Sequence, residues 1–416
     1  MAGYSSESAG RSIGGTMVTL KFTDPELKWQ IDNISCQTQV SLETEPLTKE
    51  PGFILWQKDI PKEYWSLGGQ QLIERVQAAR AKLGSKAVIL GHHYQREDII
   101  QFADLKGDSF KLAQWASQQP QAAYIVFCGV HFMAEAADVL SAPHQKVILP
   151  NMSAGCTMAD MADPDDVLDC WKQLQEIGLA DSTTPVTYMN STASLKAFCG
   201  QNDGIVCTSS NAAAVLKWAF DKRERVLFFP DQHLGRNTGV KMGIPTDQML
   251  VWDPDQPFGG HTPQELAKAK IILWRGWCSV HMRFSVDQVK AAREKYPDVT
   301  VLVHPECTLE VVQASDYNGS TEFIARTIAE APAGSTWAVG TEINLVSRLA
   351  RENPDKLVFC LDPVVCPCST MYRIHPAYLC WVLEELVEGR VRNHLVVEPE
   401  VAEWAKVALS RMLQVV

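Results

Sequence analysis

From Ala87 onward one arrangement of apolar and polar positions recurs. A short β-rich apolar run gives way to a polar or glycine-containing turn, and the turn to a stretch with apolar residues at helical spacing. The runs are AVIL (87–90), YIVF (124–127), KVIL (146–149), VTYM (186–189), GIV (204–206), VLFF (226–229), KIILW (270–274), VTVLV (299–303), WAV (337–339) and LVF (357–359). Continuous apolar strands alternating with amphipathic helices predict an α/β fold with parallel sheets covered on both faces. The irregular spacing of the runs along 416 residues fits three small three-layer αβα domains better than one closed barrel.

Residues 1–68 keep neither a helical nor a strand period for long and read as an irregular extension. The helical pattern LIERVQAARAKL follows Gln71, and the ordered protein is expected to start there. The balance of 46% hydrophobic and 21% charged residues is that of a globular chain. A formal net charge of -11 without a long Lys/Arg run argues against a nucleic-acid partner. No apolar run approaches a membrane span and the start lacks the pattern of a signal peptide, so a cytoplasmic enzyme acting on small molecules is expected.

Ligands of open parallel sheets bind beyond the carboxyl ends of strands. Those positions hold Gly91-His92-His93-Tyr94-Gln95, Asn190-Ser191-Thr192 after Tyr188 and Met189, Cys207-Thr208-Ser209-Ser210-Asn211, and His304-Pro305-Glu306-Cys307. A single cluster of this kind fits helix capping, and Ser-Ser-Asn before AAAVLKWAF is first of all a cap. Four such clusters are harder to explain by capping. Ser109 in Gly107-Asp108-Ser109 and Ser320-Thr321 after Gly319 stand at helix starts, where unpaired N–H groups favour carboxylate or phosphate. No G-x-G-x-x-G follows a strand, so a dinucleotide site has no support.

Of twelve cysteines, Cys156, Cys278 and Cys368 occupy turns. Cys170, Cys199 and Cys380 fall in helical patterns and Cys360 ends a strand, where cysteine behaves as a small buried hydrophobe. Spacing alone identifies no metal site, and Cys366-Pro367-Cys368 could equally be a reactive or disulfide-forming pair.

At these residues the sequence resembles the quinolinate synthase family. The likeness rests on HHYQ (92–95), GDS (107–109), GVHFMAEAADVL from Gly129, LPNMSAGCTMADMAD from Leu149, YMNSTASLKA from Tyr188, CTSSNA from Cys207, PDQHLGRNTG from Pro230, WRGWCSVH from Trp274, HPEC (304–307), GST (319–321) and CPCSTM from Cys366. The resemblance implies three similar domains about a pseudo-threefold axis: 69–157 with 369–416, 158–277, and 278–368. It implies a [4Fe-4S] cluster on Cys156, Cys278 and Cys368, with one iron left open as a Lewis acid. It implies condensation of iminoaspartate (iminosuccinate) with dihydroxyacetone phosphate to quinolinate in NAD biosynthesis, a transferase reaction, with an aspartate oxidase or dehydrogenase as metabolic neighbour. By the same resemblance Ser109, Tyr188, Asn190 and Ser209 hold the iminoaspartate carboxylates and Ser320 and Thr321 the triose phosphate. His92, Tyr94, His304 and Glu306 form the proton-transfer set, His92, His304 and Glu306 also touching substrate.

The leader and the segment 241–264 depart from the compact family form, and Cys368 is preferred to Cys366 by its distance to Met371. Three rivals share features of the pattern: an iron-sulfur hydro-lyase on a small carboxylic acid, a redox-sensing or cluster-carrier protein, and a zinc hydrolase using His304, Glu306 and a cysteine.

Overall fold

A computed structural model describes residues 44–415 apart from 51–52, 54–55, 117 and 365–366. Its strands fall into three sheets. The first contains β1 (Ala87–His92), β2 (Leu105–Gly107), β3 (Tyr124–Cys128), β4 (Lys146–Ile148) and β14 (His394–Leu395), in the order β14-β4-β3-β1-β2. The second contains β5 (Thr183–Tyr188), β6 (Ile205–Cys207), β7 (Arg225–Phe229), β8 (Met249–Trp252) and β9 (Ile271–Trp274), in the order β6-β5-β7-β9-β8. The third contains β10 (Thr300–Val303), β11 (Tyr317–Asn318), β12 (Thr336–Gly340) and β13 (Leu357–Cys360), in the order β11-β10-β12-β13.

The predicted α/β class holds: every pairing is parallel except β14 with β4. One topology is used three times. In each sheet the first strand lies between the second and the third, so the chain steps one way and then returns past its start. That reversal opens the crevice in which open α/β sheets bind ligands. In all three sheets the crevice is flanked by the first and third strands: β1/β3, β5/β7 and β10/β12.

Central strands such as β5 and β7 are buried along their whole length, as expected where helices cover both faces. The short strands β2, β11 and β14 escaped the sequence reading because edge strands of two or three residues carry little apolar signal. The long segment 241–264 houses β8, which adds a fifth strand to the second sheet. One hydrophobic core runs continuously through the first two sheets and the terminal segments, whereas the third sheet has its own.

The expected start of order at Gln71 is corrected. Among the described residues of 44–68 the helical structure is limited to short 3-10 turns, yet Leu47, Trp56, Ile60 and Tyr64 are buried in the first core. Their apolar positions follow no period, which hid their burial. Residues 1–43 of the predicted extension lie outside the described residues. No helix among the described residues is long and apolar enough to cross a membrane.

Candidate active site

The three crevices open into one small cavity. Its lining includes His92, Tyr94, Ser109, Cys156, Tyr188, Asn190, Ser209, Cys278, His304, Glu306, Thr321 and Cys368. Residues scattered over more than 270 positions of sequence are therefore gathered by the topology into one place. Each sheet contributes by the same rule. First strands end in the acid–base and hydroxyl groups: β1 leads to His92 and Tyr94, β5 ends at Tyr188 before Asn190, and β10 leads to His304 and Glu306. Second strands end at helix starts: β2 before Ser109, β6 before Ser209, β11 before Ser320 and Thr321. The loops after β4, β9 and β13 carry Cys156, Cys278 and Cys368.

Ser320 is the one residue of the predicted set absent from this lining. Its Oγ accepts from the Phe323 N–H at 3.3 Å and caps its own helix, Thr321–Glu330. It borders a wider adjoining groove that also touches Asp108 and Ser209.

Glu306 is the electrostatic centre. The Tyr188 hydroxyl donates to Oε1 at 2.7 Å, and His281 Nδ1 lies 2.7 Å from Oε2. Burial alone would raise its pKa, but the neighbouring imidazoles and these two hydrogen bonds outweigh burial and bring it down to about 2. His304 is pushed down to about 3 by burial, so near neutral pH its ring is uncharged. The bonds from His281 and Tyr188 then do most to hold the carboxylate ionised. His304 stacks on His281 with centroids 4.5 Å apart.

Burial likewise lowers the pKa of His92 well below its usual value and lifts that of Tyr94 well above. At neutral pH His92 is uncharged, its Nδ1 accepting from the Tyr94 N–H at 3.2 Å and its proton therefore on Nε2, and Tyr94 is a protonated donor. The Tyr94 hydroxyl is 2.8 Å from Thr341 Oγ1 and 3.4 Å from His281 Nε2, and His281 Nε2 is 3.2 Å from the same Thr341 oxygen. An unbroken hydrogen-bonded path thus joins Tyr94 to Glu306 through His281. Asn190 Oδ1 is buried without a partner among the described residues, an unmet polar atom at the cavity wall.

His281 and Thr341 were not picked out from the sequence. Thr341 follows β12 and is reachable by the strand-end rule applied to one more strand. His281 sits in a turn three residues past Cys278, and only the packing of that turn on β10 places it against Glu306.

The three cysteines share a local design. Cys156 caps the short helix Thr157–Asp160, Cys278 precedes the 3-10 turn His281–Arg283, and Cys368 precedes Met371–Arg373. Each sulfur faces backbone N–H groups: Ala159 and Met158 for Cys156, His281 for Cys278, Met371 and Thr370 for Cys368. Burial is nonetheless the stronger influence and raises all three pKa values, that of Cys156 to about 12. Buried sulfurs with N–H donors already aimed at them are poised to become thiolates once a cationic centre compensates the charge, which suits a metal–sulfur group. Gly276 allows the Cys278 loop to reach this position, since a Cβ there would strike the Pro230 carbonyl. Cys128, Cys170, Cys199, Cys207, Cys307, Cys360 and Cys380 are buried and do not line the cavity. Cys366 lies outside the described residues.

Ligand atoms of Cys278, His281 and Glu306 also lie within 4.8 Å of one another. Both nitrogens of His281 are engaged, with Glu306 and with Thr341, so this trio offers no free imidazole lone pair and gives a mononuclear zinc site little support.

Comparison with protein families matches residues 74–414 to the family described as "Quinolinate synthetase A protein". A protein of Corynebacterium glutamicum named "Quinolinate synthase" is 60% identical over 360 residues, 86% of this chain and 91% of that protein. Proteins of the same name from a Nocardioides species and from Streptomyces coelicolor are 57% and 54% identical, over 82% and 85% of this chain and 89% and 91% of their own lengths.

Proposed function

Because the chain belongs to the quinolinate synthase family, we propose that it condenses iminoaspartate with dihydroxyacetone phosphate to quinolinate, phosphate and water, the committed ring-forming step towards NAD. In this reading it is a cytoplasmic transferase fed by an aspartate-oxidising enzyme, with α/β units 69–157 with 369–416, 158–277 and 278–368, and the loops after β4, β9 and β13 each lend one cysteine to a [4Fe-4S] cluster. The observation that supports it most is the convergence of three thiols, one ionised carboxylate and several hydroxyls on a single cavity. A cluster with three cysteine ligands supplies one iron with an open position, which polarises a bound substrate oxygen or nitrogen.

The remaining work falls to the protein's own groups. Forming the ring needs a carbon–carbon and a carbon–nitrogen bond, with loss of phosphate and two waters, and each step moves a proton. Glu306, ionised and facing the cavity, takes the triose carbon proton. With two donors on it the carboxylate is a weak base. Substrate binding corrects this: when the Tyr188 hydroxyl turns to an iminoaspartate carboxylate, Glu306 loses one donor and its basicity rises. His281, already donating to Glu306, holds that carboxylate in place, and Tyr94, protonated and bonded to Thr341, is the donor to a leaving hydroxyl. His92, uncharged with its proton on Nε2, donates to a substrate oxygen, and His304 stacks on His281. Ser109, Asn190 and Ser209 hold the dicarboxylate, while Ser320 and Thr321, at the start of one helix, receive the phosphate through its free N–H groups.

The test is anaerobic purification with iron and sulfide counts, followed by an assay for quinolinate from iminoaspartate with and without dihydroxyacetone phosphate. About four irons per chain and product only with both substrates are expected. Colourless, iron-free protein that still makes quinolinate would overturn the cluster; turnover without the triose would favour a hydro-lyase.

A further inference from the structure

Residues 44–68 precede the stretch matched to the family, residues 74–414, and carry no proposed catalytic group. They are nevertheless wired to two cysteine loops. On the Cys156 side, the Gln57 N–H donates to Ser153 Oγ at 3.2 Å, and Gln57 Oε1 accepts from the Met152 N–H at 2.9 Å. Gln57 Nε2 donates to Asn393 Oδ1 at 2.9 Å, and Asn393 in turn donates to the Pro150 carbonyl at 2.7 Å. One glutamine therefore grips the loop from β4 to Cys156 at two points directly and at a third through Asn393.

On the Cys368 side, His375 Nε2 stands 2.9 Å from the Glu45 carbonyl and 3.4 Å from Glu50 Oε1. Arg96 Nη1 reaches the same Glu50 oxygen at 2.9 Å and lies over the Tyr372 ring at 4.1 Å. Glu50, Arg96 and His375 are all buried, so this is a desolvated charge cluster whose members depend on one another. Trp56 packs against Tyr372, His375 and Tyr378, and the Tyr378 hydroxyl donates to the Gln57 carbonyl. The two cysteine loops also bind each other: Asn151 Nδ2 donates to the Arg373 carbonyl at 2.8 Å, and Arg373 Nη1 to the Ser153 carbonyl at 2.6 Å.

We infer that residues 44–68 are a strap that fixes the separation of Cys156 and Cys368, with Gln57 and Glu50 as its positioning residues. The inference rests on the reading of these cysteines as cluster ligands. Metal–sulfur centres tolerate little error in ligand placement, and groups outside the ligand shell set that placement. The strap holds one loop by neutral hydrogen bonds and the other by a buried charge cluster, so removing either set frees one cysteine loop relative to the other.

The experiment measures anaerobic iron release to a chelator from the full-length, cluster-loaded protein, beside the melting temperature of the cluster-free form. Gln57→Ala and, as a second and isosteric variant, Glu50→Gln are compared with wild type and with Lys62→Ala, which alters an exposed strap residue. Loss of the hydrogen bonds is expected to speed release about tenfold. Release should quicken by more than any fall in the melting temperature of the cluster-free protein accounts for, and Lys62→Ala should match wild type. Wild-type release rates in both variants would overturn the strap, as would faster release accompanied by an equal loss of cluster-free stability. A wild-type protein that never takes up iron would instead overturn the cluster reading, and the strap's role with it.

Discussion

Replacing Glu306 by Gln isolates the proposed base, because the side chain keeps its shape and loses its charge. In the folded protein the carboxylate receives two charge-assisted hydrogen bonds, from Tyr188 and His281, both at 2.7 Å. Each such bond contributes about 1.5–3 kcal/mol. The amide keeps one acceptor oxygen, and the Tyr188 hydroxyl can rotate to accept from its NH2, so neither site is left unpaired. Removing a buried charge also removes its desolvation cost. These effects oppose each other, and stability should change by no more than about 2 kcal/mol. Turnover should respond quite differently. Loss of a general base costs about 10²- to 10⁴-fold, or roughly 3–5.5 kcal/mol on the barrier. The assay is anaerobic quinolinate formation at saturating substrates, with iron content and visible absorbance recorded on the same samples. Activity within about threefold of wild type at full iron loading would refute the assignment, since that is far below a general base's contribution. Iron lost in step with activity would refute it too, by placing Glu306 in cluster retention.

Two further outcomes are expected. Ser in place of Cys156, Cys278 or Cys368 should each lower bound iron with fold retained, as read by iron count and circular dichroism, whereas Cys128→Ala and Cys207→Ala, at buried positions outside the cavity, should leave iron unchanged. His233 has a buried Nδ1 without a partner among the described residues, and burial, then Arg236, lowers its pKa from 6.5 to about 4. Between those values the unfolded chain binds a proton that the folded one refuses, so stability is full above pH 6.5 and falls as pH drops. Each such histidine contributes up to about 1.4 kcal/mol per pH unit, and His92 and His304 act in the same direction. Denaturant midpoints of cluster-free His233→Gln should therefore flatten with pH relative to wild type, and parallel curves would contradict the buried neutral ring.

The ten apolar runs each correspond to a strand, since a strand buried between two helical layers must be apolar throughout and so stands out. Edge strands such as β11, Tyr317–Asn318, have one partner and an exposed face, and their composition does not betray them. The same asymmetry governs the site. His92, Tyr94, Tyr188, Asn190, His304 and Glu306 were found because parallel strands all deliver their carboxyl ends to one side, a rule that needs no coordinates. His281 obeys no such rule: its ring is 0% exposed and meets Glu306 only because the turn after Cys278 folds back onto the third sheet. The strap was read as irregular for a related reason, since Leu47, Trp56, Ile60 and Tyr64 are buried one at a time on a surface made by other segments.

Sequence by itself determined the α/β class and the polar strand ends, and the family resemblance singled out three cysteines that line the same cavity. The class and the strand ends follow from local periodicity and from the direction of parallel strands, both properties of neighbouring residues. Tertiary structure alone decided which of those strand ends meet, that Ser320 caps its helix away from the main cavity, that His281 links Tyr94 to Glu306, and that residues 44–68 brace two cysteine loops. Such contacts join positions up to 336 residues apart, as between Gln57 and Asn393, and they depend on how whole sheets pack, which no local pattern encodes.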